Sequence, residues 1–289
     1  MLNGNLKLAI QKNGRLTQKS IQLLRTAGLE IEDYNDRLII SVQNFDMDII
    51  YLRDDDIPEY VKDGVADIGI VGENVFYEKK ADAEIIRKLG FGKCKFSLAV
   101  PESKEVKELN EFNGLRIATS YPNLLNDFLK KNNLNSIIVE ISGSVETAPS
   151  LGIADAICDL VSTGNTLKLH KLKKSFDVFE SEAVLIANKF IHKDEKKNNV
   201  FEELLFRIDS ALKAKSSKYL MMNAPKSAIE KIKSVLPALK SPTILPLADE
   251  SMVAVHAVIP SDKFWDILRN LKKVGASDIL LLTIDNMIL

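Results

Sequence analysis

The sequence predicts an α/β protein in which two similar lobes surround a cleft and a smaller domain follows. Short apolar runs alternate with helical patterns along most of the 289 residues, a length that allows several buried cores. A short motif recurs in two parts of the chain and indicates related lobes. Beyond about residue 220 the order of the elements changes, which marks the smaller domain.

The first lobe begins with a strand at residues 6–10 and a helix at residues 18–27. The helix stops before Gly28, a residue type that often ends helices. The other elements of this lobe are strands at 38–42, 48–52 and 67–71 and a short helix at 57–62. Their apolar runs are continuous rather than alternating, which favours parallel sheets covered on both faces.

The second lobe repeats this rhythm. A charged linker at residues 102–111 separates a strand at 96–100 from a new α/β series. That series consists of a strand at 115–119, a helix at 122–131 and a strand at 137–141. Pro122 stands in the first turn of the helix, where proline is common.

The recurring motif links the two lobes. Residues 64–71 (GVADIGIV) resemble residues 152–161 (GIADAICDLV), because each has a glycine and an Ala-Asp pair before an apolar strand. An ordinary transition from helix to strand can look the same, so that alternative stays open. The other interpretation is two α/β lobes that face a cleft, as in periplasmic-type solute-binding folds. A cleft between lobes is a natural ligand site.

The smaller domain has the order β-α-β-β-α-β, which is the ferredoxin-like pattern. Its predicted elements are a strand at 219–223, a helix from Pro225, strands at 242–247 and 252–259, a helix around 264–271 and a strand at 278–284. A domain attached after a complete α/β unit suggests regulation or assembly. The fold alone does not decide between the two.

Composition excludes several classes of protein. The chain has 39 basic and 40 acidic residues and a net charge of −1, whereas nucleic-acid binders usually have a basic excess. We see no secretory signal and no apolar stretch near the roughly 18 residues that span a bilayer. Cys94 and Cys158 lie in or beside apolar runs and are expected as free thiols. We therefore expect a cytoplasmic protein that binds neither nucleic acid nor membrane.

A candidate phosphate site follows the strand that ends at Val161. Hydroxyls and backbone N–H groups at a predicted helix start favour an anion. A plain capped helix start is the alternative, and the Walker pattern is absent. The residues of this loop are Ser162, Thr163, Gly164, Asn165 and Thr166.

Two acidic residues precede the loop. Asp155 and Asp159 are four residues apart, so on a strand their side chains would share a face that leads to the loop. Carboxylates in that position can hold ribose hydroxyls or a Mg²⁺ ion.

Two arginines follow strands of the first lobe, where α/β folds place ligands. Arg15 comes after the strand at 6–10, and Arg53 comes after the strand at 48–52. Guanidinium groups suit the recognition of polyphosphates. A surface ion pair with the aspartates that follow it is the alternative for Arg53. Glu73 holds the corresponding position after the strand at 67–71.

Taken together, these segments resemble the ATP phosphoribosyltransferase family, whose enzymes open histidine biosynthesis. The matching segments are residues 11–16 (QKNGRL), 53–58 (RDDDIP), 67–74 (DIGIVGEN), 116–122 (RIATSYP) and 154–167. Residues 219–222 (YLMM) and 241–247 (SPTILPL) resemble the C-terminal regulatory domain of the long form. The resemblance covers essentially the whole chain. It departs at Asn165, where a small residue such as alanine is expected.

The resemblance implies a reaction between ATP and phosphoribosyl pyrophosphate (PRPP). Nitrogen N1 of the adenine attacks C1 of the PRPP ribose, pyrophosphate leaves, and N1-(5-phosphoribosyl)-ATP is formed with Mg²⁺ as cofactor. The loop from Ser162 to Thr166 would hold the 5-phosphate of PRPP, with Asp155 and Asp159 near its ribose. Arg15 and Arg53 would be catalytic and contact ATP or pyrophosphate, with Lys12 and Glu73 beside ATP. No general base is expected, because adenine N1 already has a lone pair.

The resemblance also implies regulation and assembly through an ACT-like C-terminal domain. Histidine would bind there as a feedback inhibitor, with Asn223, Thr243 and Ser277 as candidate contacts and cap or turn roles as the alternative. A homo-hexamer is expected. The implied domains are lobe I at residues 1–95 plus about 180–221, lobe II at 96–179 and the regulatory domain at 222–289.

Two other functions remain open to the sequence. A non-catalytic protein that binds or senses a small molecule would have the same two lobes. The missing signal and the charged side chains that converge on one cleft argue against a passive periplasmic receptor. A ligand-gated transcription regulator would need a helix-turn-helix pattern with a basic excess, which neither end of the chain has.

Overall fold

A computed structural model describes residues 4–32, 37–161, 165–236 and 241–288. The chain divides into two compact units. The first comprises Met1–Ile21 and Glu30–Val200, and the second comprises Gln22–Leu29 and Phe201–Leu289. The sheets of both lobes belong to the first unit, whereas Gln22–Leu29 of the first lobe belongs to the second.

Lobe I begins the chain. Its first elements are β1 (Leu6–Gln11), α1 (Thr17–Thr26), β2 (Ile39–Ser41), β3 (Met47–Leu52), α2 (Ile57–Lys62), β4 (Ile68–Gly72), α3 (Glu73–Lys79) and β5 (Glu84–Lys88). The strand β1 lies between β3 and β4 and is parallel to both. Leu8, Ile49 and Ile70 are almost fully buried, which explains why these strands are continuous apolar runs. Since the three strands are parallel, their carboxyl ends meet at one edge of the sheet.

Lobe II is a second α/β sheet. Its elements are β6 (Cys94–Pro101), β7 (Arg116–Thr119), α4 (Pro122–Lys131), β8 (Ile137–Glu140), β9 (Ala156–Val161), α5 (Asn165–Leu169) and β10 (Leu172–Ser181). The strand order is β10-β6-β9-β7-β8. The strands β8 and β9 are parallel to β7, whereas β6 is antiparallel to β9 and β10.

The chain passes between the lobes twice. It leaves lobe I after β5, and it returns after β10 as β11 (Ala183–Ala187), which inserts between β4 and β5. At the crossing, the Leu89 N–H donates to the Ala183 carbonyl (2.9 Å) and the Ala183 N–H donates to the Phe91 carbonyl (2.8 Å). The strand β11 is antiparallel to both neighbours. The predicted parallel pairing is confirmed for β1, β3 and β4, whereas β11 joins them antiparallel, because a short link cannot turn the chain round as a crossover helix does.

The helix α6 (Glu195–Lys215) follows β11 and is the longest helix of the described ranges. Its buried residues include Phe201, Leu204, Ile208 and Ala211, a spacing that forms one apolar face. No helix in the described part of the chain is long and apolar enough to cross a membrane.

The second unit contains the ferredoxin-like domain. Its elements are β12 (Ser217–Pro225), α7 (Ile229–Val235), β13 (Thr243–Pro246), β14 (Met252–Pro260), α8 (Phe264–Lys273) and β15 (Ser277–Thr283). The sheet order is β13-β14-β12-β15, with every neighbouring pair antiparallel. One face carries the core, which includes Leu220, Met222, Val255 and Leu271. The prediction of two α/β lobes followed by a β-α-β-β-α-β domain is confirmed.

The sheets begin earlier than the predicted domain boundaries. The strand β12 already pairs with β14 at Ser217, so a boundary at residue 222 would cut the strand. Lobe II likewise starts at Cys94 and ends at Ser181, because these residues pair with each other at the edge of its sheet.

Candidate active site

Three predicted site residues lie at the same edge of lobe I. Arg53 directly follows β3, Arg15 lies in the turn after β1, and Glu73 is the first residue of α3 directly after β4. The parallel pairing of these neighbouring strands brings the three positions to one edge of the sheet. The rule that α/β folds place ligands beyond the carboxyl ends of their strands therefore predicted the common position of the three residues.

The turn after β1 presents Arg15 to solvent. The Lys12 N–H donates to the Leu52 carbonyl (2.7 Å), which extends the pairing of β1 with β3. Gly14 has φ +149°, and a Cβ there would lie 2.5 Å from the Gln11 side chain. A residue without a side chain is therefore needed at this point of the turn. Arg15 follows it and is exposed.

Glu73 is buried at the edge of lobe I. Its residue is 5% exposed, and its Oε2 accepts a hydrogen bond from Lys88 Nζ at 3.1 Å. The carboxylate raises the pKa of the Lys88 ammonium group above its ordinary value. The ion pair thus holds the Glu73 carboxylate in place, and a ligand that reached this carboxylate would also meet the Lys88 ammonium group.

Asp159 lies in β9, two residues before the strand ends. Burial raises the pKa of its carboxyl group above the ordinary value; a hydrogen bond from the Leu160 N–H (2.7 Å) opposes the rise, Glu146 adds to it, and the Arg15 guanidinium opposes it. Burial also raises the pKa of the Cys94 thiol, which Arg15 and Asp159 both influence. The Arg15 guanidinium of lobe I therefore acts electrostatically on both Asp159 and Cys94 of lobe II.

Asp155 is placed elsewhere, which corrects the expected pairing with Asp159. It precedes β9, and its carboxylate binds Arg116 through Nη2 (2.9 Å), Nε (3.1 Å) and the backbone N–H (2.9 Å). It therefore precedes the strand, whereas the phosphate loop follows the end of the strand, about 20 Å away along its six residues. The structure does not bring Asp155 to the candidate site.

We expect Asp155→Asn to affect stability and not catalysis. Arg116 lowers the pKa of Asp155 to about 2, so this ion pair stabilises the fold above the ordinary pKa and is lost as the pH falls from about 4 to about 2. Both side chains are more than a third exposed, so the loss at pH 7 is only about 1 kcal/mol. Denaturant unfolding at pH 7 and pH 2.5 should show a difference from wild type that shrinks in acid.

The matched control for this prediction is Arg116→Gln, which removes the other partner and should cost a similar amount. The KM for PRPP should stay within about twofold of wild type in both variants, since neither side chain reaches the loop. A tenfold rise in KM for Asp155→Asn alone would return this carboxylate to the binding site.

The candidate phosphate loop is described only in part. The strand β9 ends at Val161 and α5 begins at Asn165, with Asn165 and Thr166 exposed in its first turn. Ser162, Thr163 and Gly164 lie outside the described residues. Leu167 packs against Ala118 and Ile157, which fixes the helix start at the end of the sheet.

A cavity of about 590 Å³ adjoins this loop. Its walls come from both lobes and from the segments that cross between them. Its lining residues are Glu73, Lys88, Lys93, Cys94, Lys95, Val161, Lys174, Glu180, Ser181 and Glu182. Four are lysines, of which Lys88, Lys95 and Lys174 form ion pairs with nearby carboxylates. The cavity therefore joins Glu73 of lobe I to the start of the loop in lobe II.

Tyr121 and Glu146 are candidate site residues that sequence reasoning missed. Burial raises the pKa of the Tyr121 phenol, and Asp159, Asp54 and Asp55 raise it further. The phenol therefore remains a neutral O–H donor among carboxylates of both lobes. The position of Tyr121 just after β7 could have identified it. The same rule, that ligands bind beyond the carboxyl ends of strands, identified Arg15 after β1.

The candidates in the C-terminal sheet are only partly together. Asn223 in β12 pairs with Ser277 in β15, and Asn223 Nδ2 and Ser277 Oγ both donate to Asp278 Oδ2 (3.0 and 3.1 Å). Thr243 pairs with His256 on the far side of β14. Two strand spacings, about 10 Å, therefore separate the strand of Thr243 from the strand of Asn223, and three spacings, about 14 Å, separate it from the strand of Ser277.

Protein ligands for a metal are sparse. Among residues 4–32, 37–161, 165–236 and 241–288, no group of three or more His, Cys, Asp or Glu side chains is arranged to hold a metal ion. The carboxylates in the wall of the cavity are those of Glu73, Glu180 and Glu182. Such oxygen donors suit Mg²⁺, which often takes few ligands from a protein and more from substrate phosphates.

Fold and site together define a class of protein. Two α/β lobes present arginine, carboxylate and phenol groups to one cleft beside a helix start, which is the arrangement of an enzyme that aligns polar, anionic substrates between lobes. The cysteine, lysine and glutamate groups at the crossing form the wall of that cleft.

Comparison with known proteins identifies the family. The family model HisG, ATP phosphoribosyltransferase, matches residues 53–210, and the model of the HisG C-terminal domain matches residues 214–286. The chain is 50% identical over 283 residues to an ATP phosphoribosyltransferase of Bacteroides thetaiotaomicron, which covers 98% of this chain and 99% of the relative. An ATP phosphoribosyltransferase of Cytophaga hutchinsonii is 47% identical over 98% of each chain. The chain belongs to the ATP phosphoribosyltransferase family.

A solved structure agrees with this assignment. The ATP phosphoribosyl transferase (HisG:HisZ) complex from Thermotoga maritima contains a chain that matches with a TM-score of 0.59 and 30% identity, over 71% of this chain and 98% of that chain. The activity is therefore phosphoribosyl transfer to ATP, the first step of histidine biosynthesis. The resemblance seen in the sequence is confirmed, and the non-catalytic alternative is set aside.

Proposed function

We propose that the cleft between the lobes aligns ATP and PRPP for direct attack of adenine N1 on ribose C1. The observation that carries this proposal is the cavity that is lined by Glu73 of lobe I and by Val161 of lobe II. Asp159 lies two residues before the end of the strand that leads into the phosphate loop. The cavity thus joins the edge of lobe I that carries Arg15 and Arg53 to the strand that carries Asp159, and in this proposal the two substrates meet there.

The chemistry explains why both kinds of charge are useful. The N1–C1 bond forms while the bond from C1 to the pyrophosphate oxygen breaks. Positive charge grows on the ribose, and negative charge grows on the departing pyrophosphate. The guanidinium groups of Arg15 and Arg53 offset the negative charge, while Asp159 stands near the ribose. The lone pair of adenine N1 is free to attack, so no general base is required.

Each substrate has its own part of the cleft in this proposal. The loop of Ser162, Thr163, Gly164, Asn165 and Thr166 holds the 5-phosphate of PRPP, supported by the position of α5 at the end of β9. Lys12, Arg15, Arg53 and Glu73 contact ATP or pyrophosphate from lobe I. Asp155 is left out, because its carboxylate is occupied by Arg116.

Mg²⁺ fits this cleft as a partner of the substrate phosphates. Asp159, with Glu146 beside it, is the carboxylate best placed to contribute a protein ligand. When bound, the ion neutralises negative charge on the pyrophosphate group. The protein's own groups then orient the ribose and the adenine toward each other.

A turnover assay tests the proposal. The protein is mixed with ATP, PRPP and Mg²⁺, and pyrophosphate release is followed together with the change in adenine absorbance. We expect both signals to rise together and to require both substrates. Binding of either nucleotide without pyrophosphate release would instead support a sensing protein.

We further propose that the C-terminal domain binds histidine as a feedback inhibitor and takes part in a homo-hexamer. The pairing of Asn223 with Ser277 beside Asp278 supports a polar site at the edge of the C-terminal sheet. Thr243, at the opposite edge, would join that site only through another copy of the chain. Addition of L-histidine to the same assay should slow pyrophosphate release.

We place the protein in the cytoplasm. Cys94 and Cys158 are both unpaired, and Cys158 is fully buried. Free thiols of this kind suit a reducing compartment.

A further inference from the structure

The first turn of α4 in lobe II is capped by a residue of lobe I. Pro122 begins the helix and has no N–H, and the preceding Tyr121 makes no side-chain cap hydrogen bond. The N–H groups of Asn123 and Leu124 donate instead to Oε1 (3.0 Å) and Oε2 (2.9 Å) of Glu78 in α3. Asn123 Nδ2 also donates to the Glu78 carbonyl (3.0 Å). One residue therefore satisfies the free donors at the start of this helix.

This contact is buried and charged. Glu78 is only 9% exposed, and a carboxylate at a helix N-terminus is stabilised by the helix dipole and by charge-assisted hydrogen bonds. If the lobes moved apart here, a buried carboxylate and two helix donors would lose their partners at once. Such losses cost far more than breaking an exposed ion pair. The Glu78 cap therefore holds the two lobes together at this point.

Neighbouring contacts form one interface with the cap. Tyr77 packs edge-on against Phe179 with ring centroids 5.6 Å apart, and the exposed Lys80 pairs with Asp127 at 3.1 Å. Tyr121 packs against the apolar clusters of both lobes. Because Tyr121 directly precedes α4, these apolar contacts adjoin the helix that Glu78 caps.

We propose that Glu78 is a positioning residue for phosphoribosyl transfer. By capping α4 from α3, it sets the distance between the arginines of lobe I and the PRPP loop of lobe II. Glu78 touches neither substrate and takes part in no bond change. Its importance follows from the geometry of the reaction, since attack needs the reacting atoms about 3–3.5 Å apart and a displacement of about 1 Å can cost 100-fold in rate. The inference rests on the proposed substrate cleft.

The main test is Glu78→Gln, which keeps the size of the side chain. The amide retains one acceptor oxygen but turns an NH₂ group toward the other helix N–H. We expect the single-turnover rate to fall about 10- to 100-fold. The dissociation constant of PRPP, measured without ATP, should change much less than the rate does, because the loop proposed to hold its 5-phosphate belongs to lobe II alone. Amide hydrogen exchange in the peptide spanning Pro122–Lys131 should accelerate.

A matched control and a second variant complete the test. Lys80→Ala removes an exposed ion pair from the same interface and should leave the rate within about twofold of wild type. Glu78→Asp keeps the charge but is one methylene shorter, so its rate should lie between those of wild type and Glu78→Gln. If Glu78→Gln does not unfold cooperatively, the same rate, PRPP affinity and hydrogen-exchange measurements on Glu78→Asp test the proposal instead.

Two results would overturn the proposal. One is a folded Glu78→Gln variant with a single-turnover rate within about twofold of wild type. The other is a loss of PRPP affinity as large as the loss of rate, which would place the damage inside lobe II. Failure of the proposed cleft would look different. Variants of the loop that keep Glu78 would then bind PRPP as tightly as the wild-type protein does.

Discussion

Arg15→Ala is expected to lower kcat by about 100- to 1,000-fold. That is the usual cost of removing one group that stabilises charge developing in a transition state. Arg15 follows β1 at the edge of lobe I, where the proposed cleft places the pyrophosphate of PRPP, so its guanidinium would offset the negative charge of the leaving group. Steady-state release of pyrophosphate at saturating ATP and PRPP measures the effect.

The loss should be confined to catalysis. Arg15 is exposed, so its removal should change the free energy of unfolding by no more than about 0.5 kcal/mol. Arg25→Ala, near the other end of α1, is the matched control and should keep kcat within about twofold of wild type. Normal turnover in Arg15→Ala would remove this arginine from the mechanism.

Replacing Thr163 and Thr166 together by valine should raise the KM for PRPP by at least about 100-fold. Valine keeps the shape of threonine and removes the hydroxyl, so each change deletes one hydrogen bond to a charged phosphate, worth about 1.5–3 kcal/mol. Each 1.4 kcal/mol corresponds to about tenfold in affinity. Initial rates at varied PRPP and fixed ATP, and then the reverse, separate the two substrates.

The KM for ATP should stay nearly constant in this double variant. Thr26→Val serves as the control, because the Thr26 hydroxyl donates to the Gln22 carbonyl within α1 and has no place in the site. Equal increases in both KM values would move the loop away from the phosphate of PRPP.

The edge of lobe I was predictable because its strands are parallel and fully buried. Continuous apolar runs identified β1, β3 and β4, and the residues after them had to meet at one edge. Arg15, Arg53 and Glu73 could therefore be placed together without coordinates. The same argument applied to β7 would have added Tyr121.

The location of Asp155 could not be predicted from its spacing to Asp159. A separation of four residues gives a shared face only if both residues lie within the strand. Asp155 lies before β9, and its partner Arg116 is 39 residues away in the sequence. A local pattern contains no information about a partner at that distance.

The connections between the lobes were hidden for similar reasons. The pairing of β10 with β6 has two irregularities, and these break the alternation that reveals a strand. The run β11 is apolar throughout and only five residues long, which suits a short strand or a buried helix equally well. Glu78 caps a helix that begins 44 residues later in the sequence. A pattern search over neighbouring residues therefore never includes both partners of this contact.

The insertion of β11 also sets the order in which the protein can form during synthesis. The strands of lobe II come from one uninterrupted segment, from Cys94 to Ser181, and that segment leaves the ribosome before β11 does. In the described sheet of lobe I, β5 has β11 as its neighbour, so β5 must wait for it. Lobe I is encoded first but is therefore completed after lobe II. The usual order is the opposite, because the N-terminal part of a chain generally folds first. Until β11 has been synthesised, one edge of β4 has no partner strand. An unpaired strand edge of this kind promotes aggregation, so this part of the nascent chain should benefit from a chaperone.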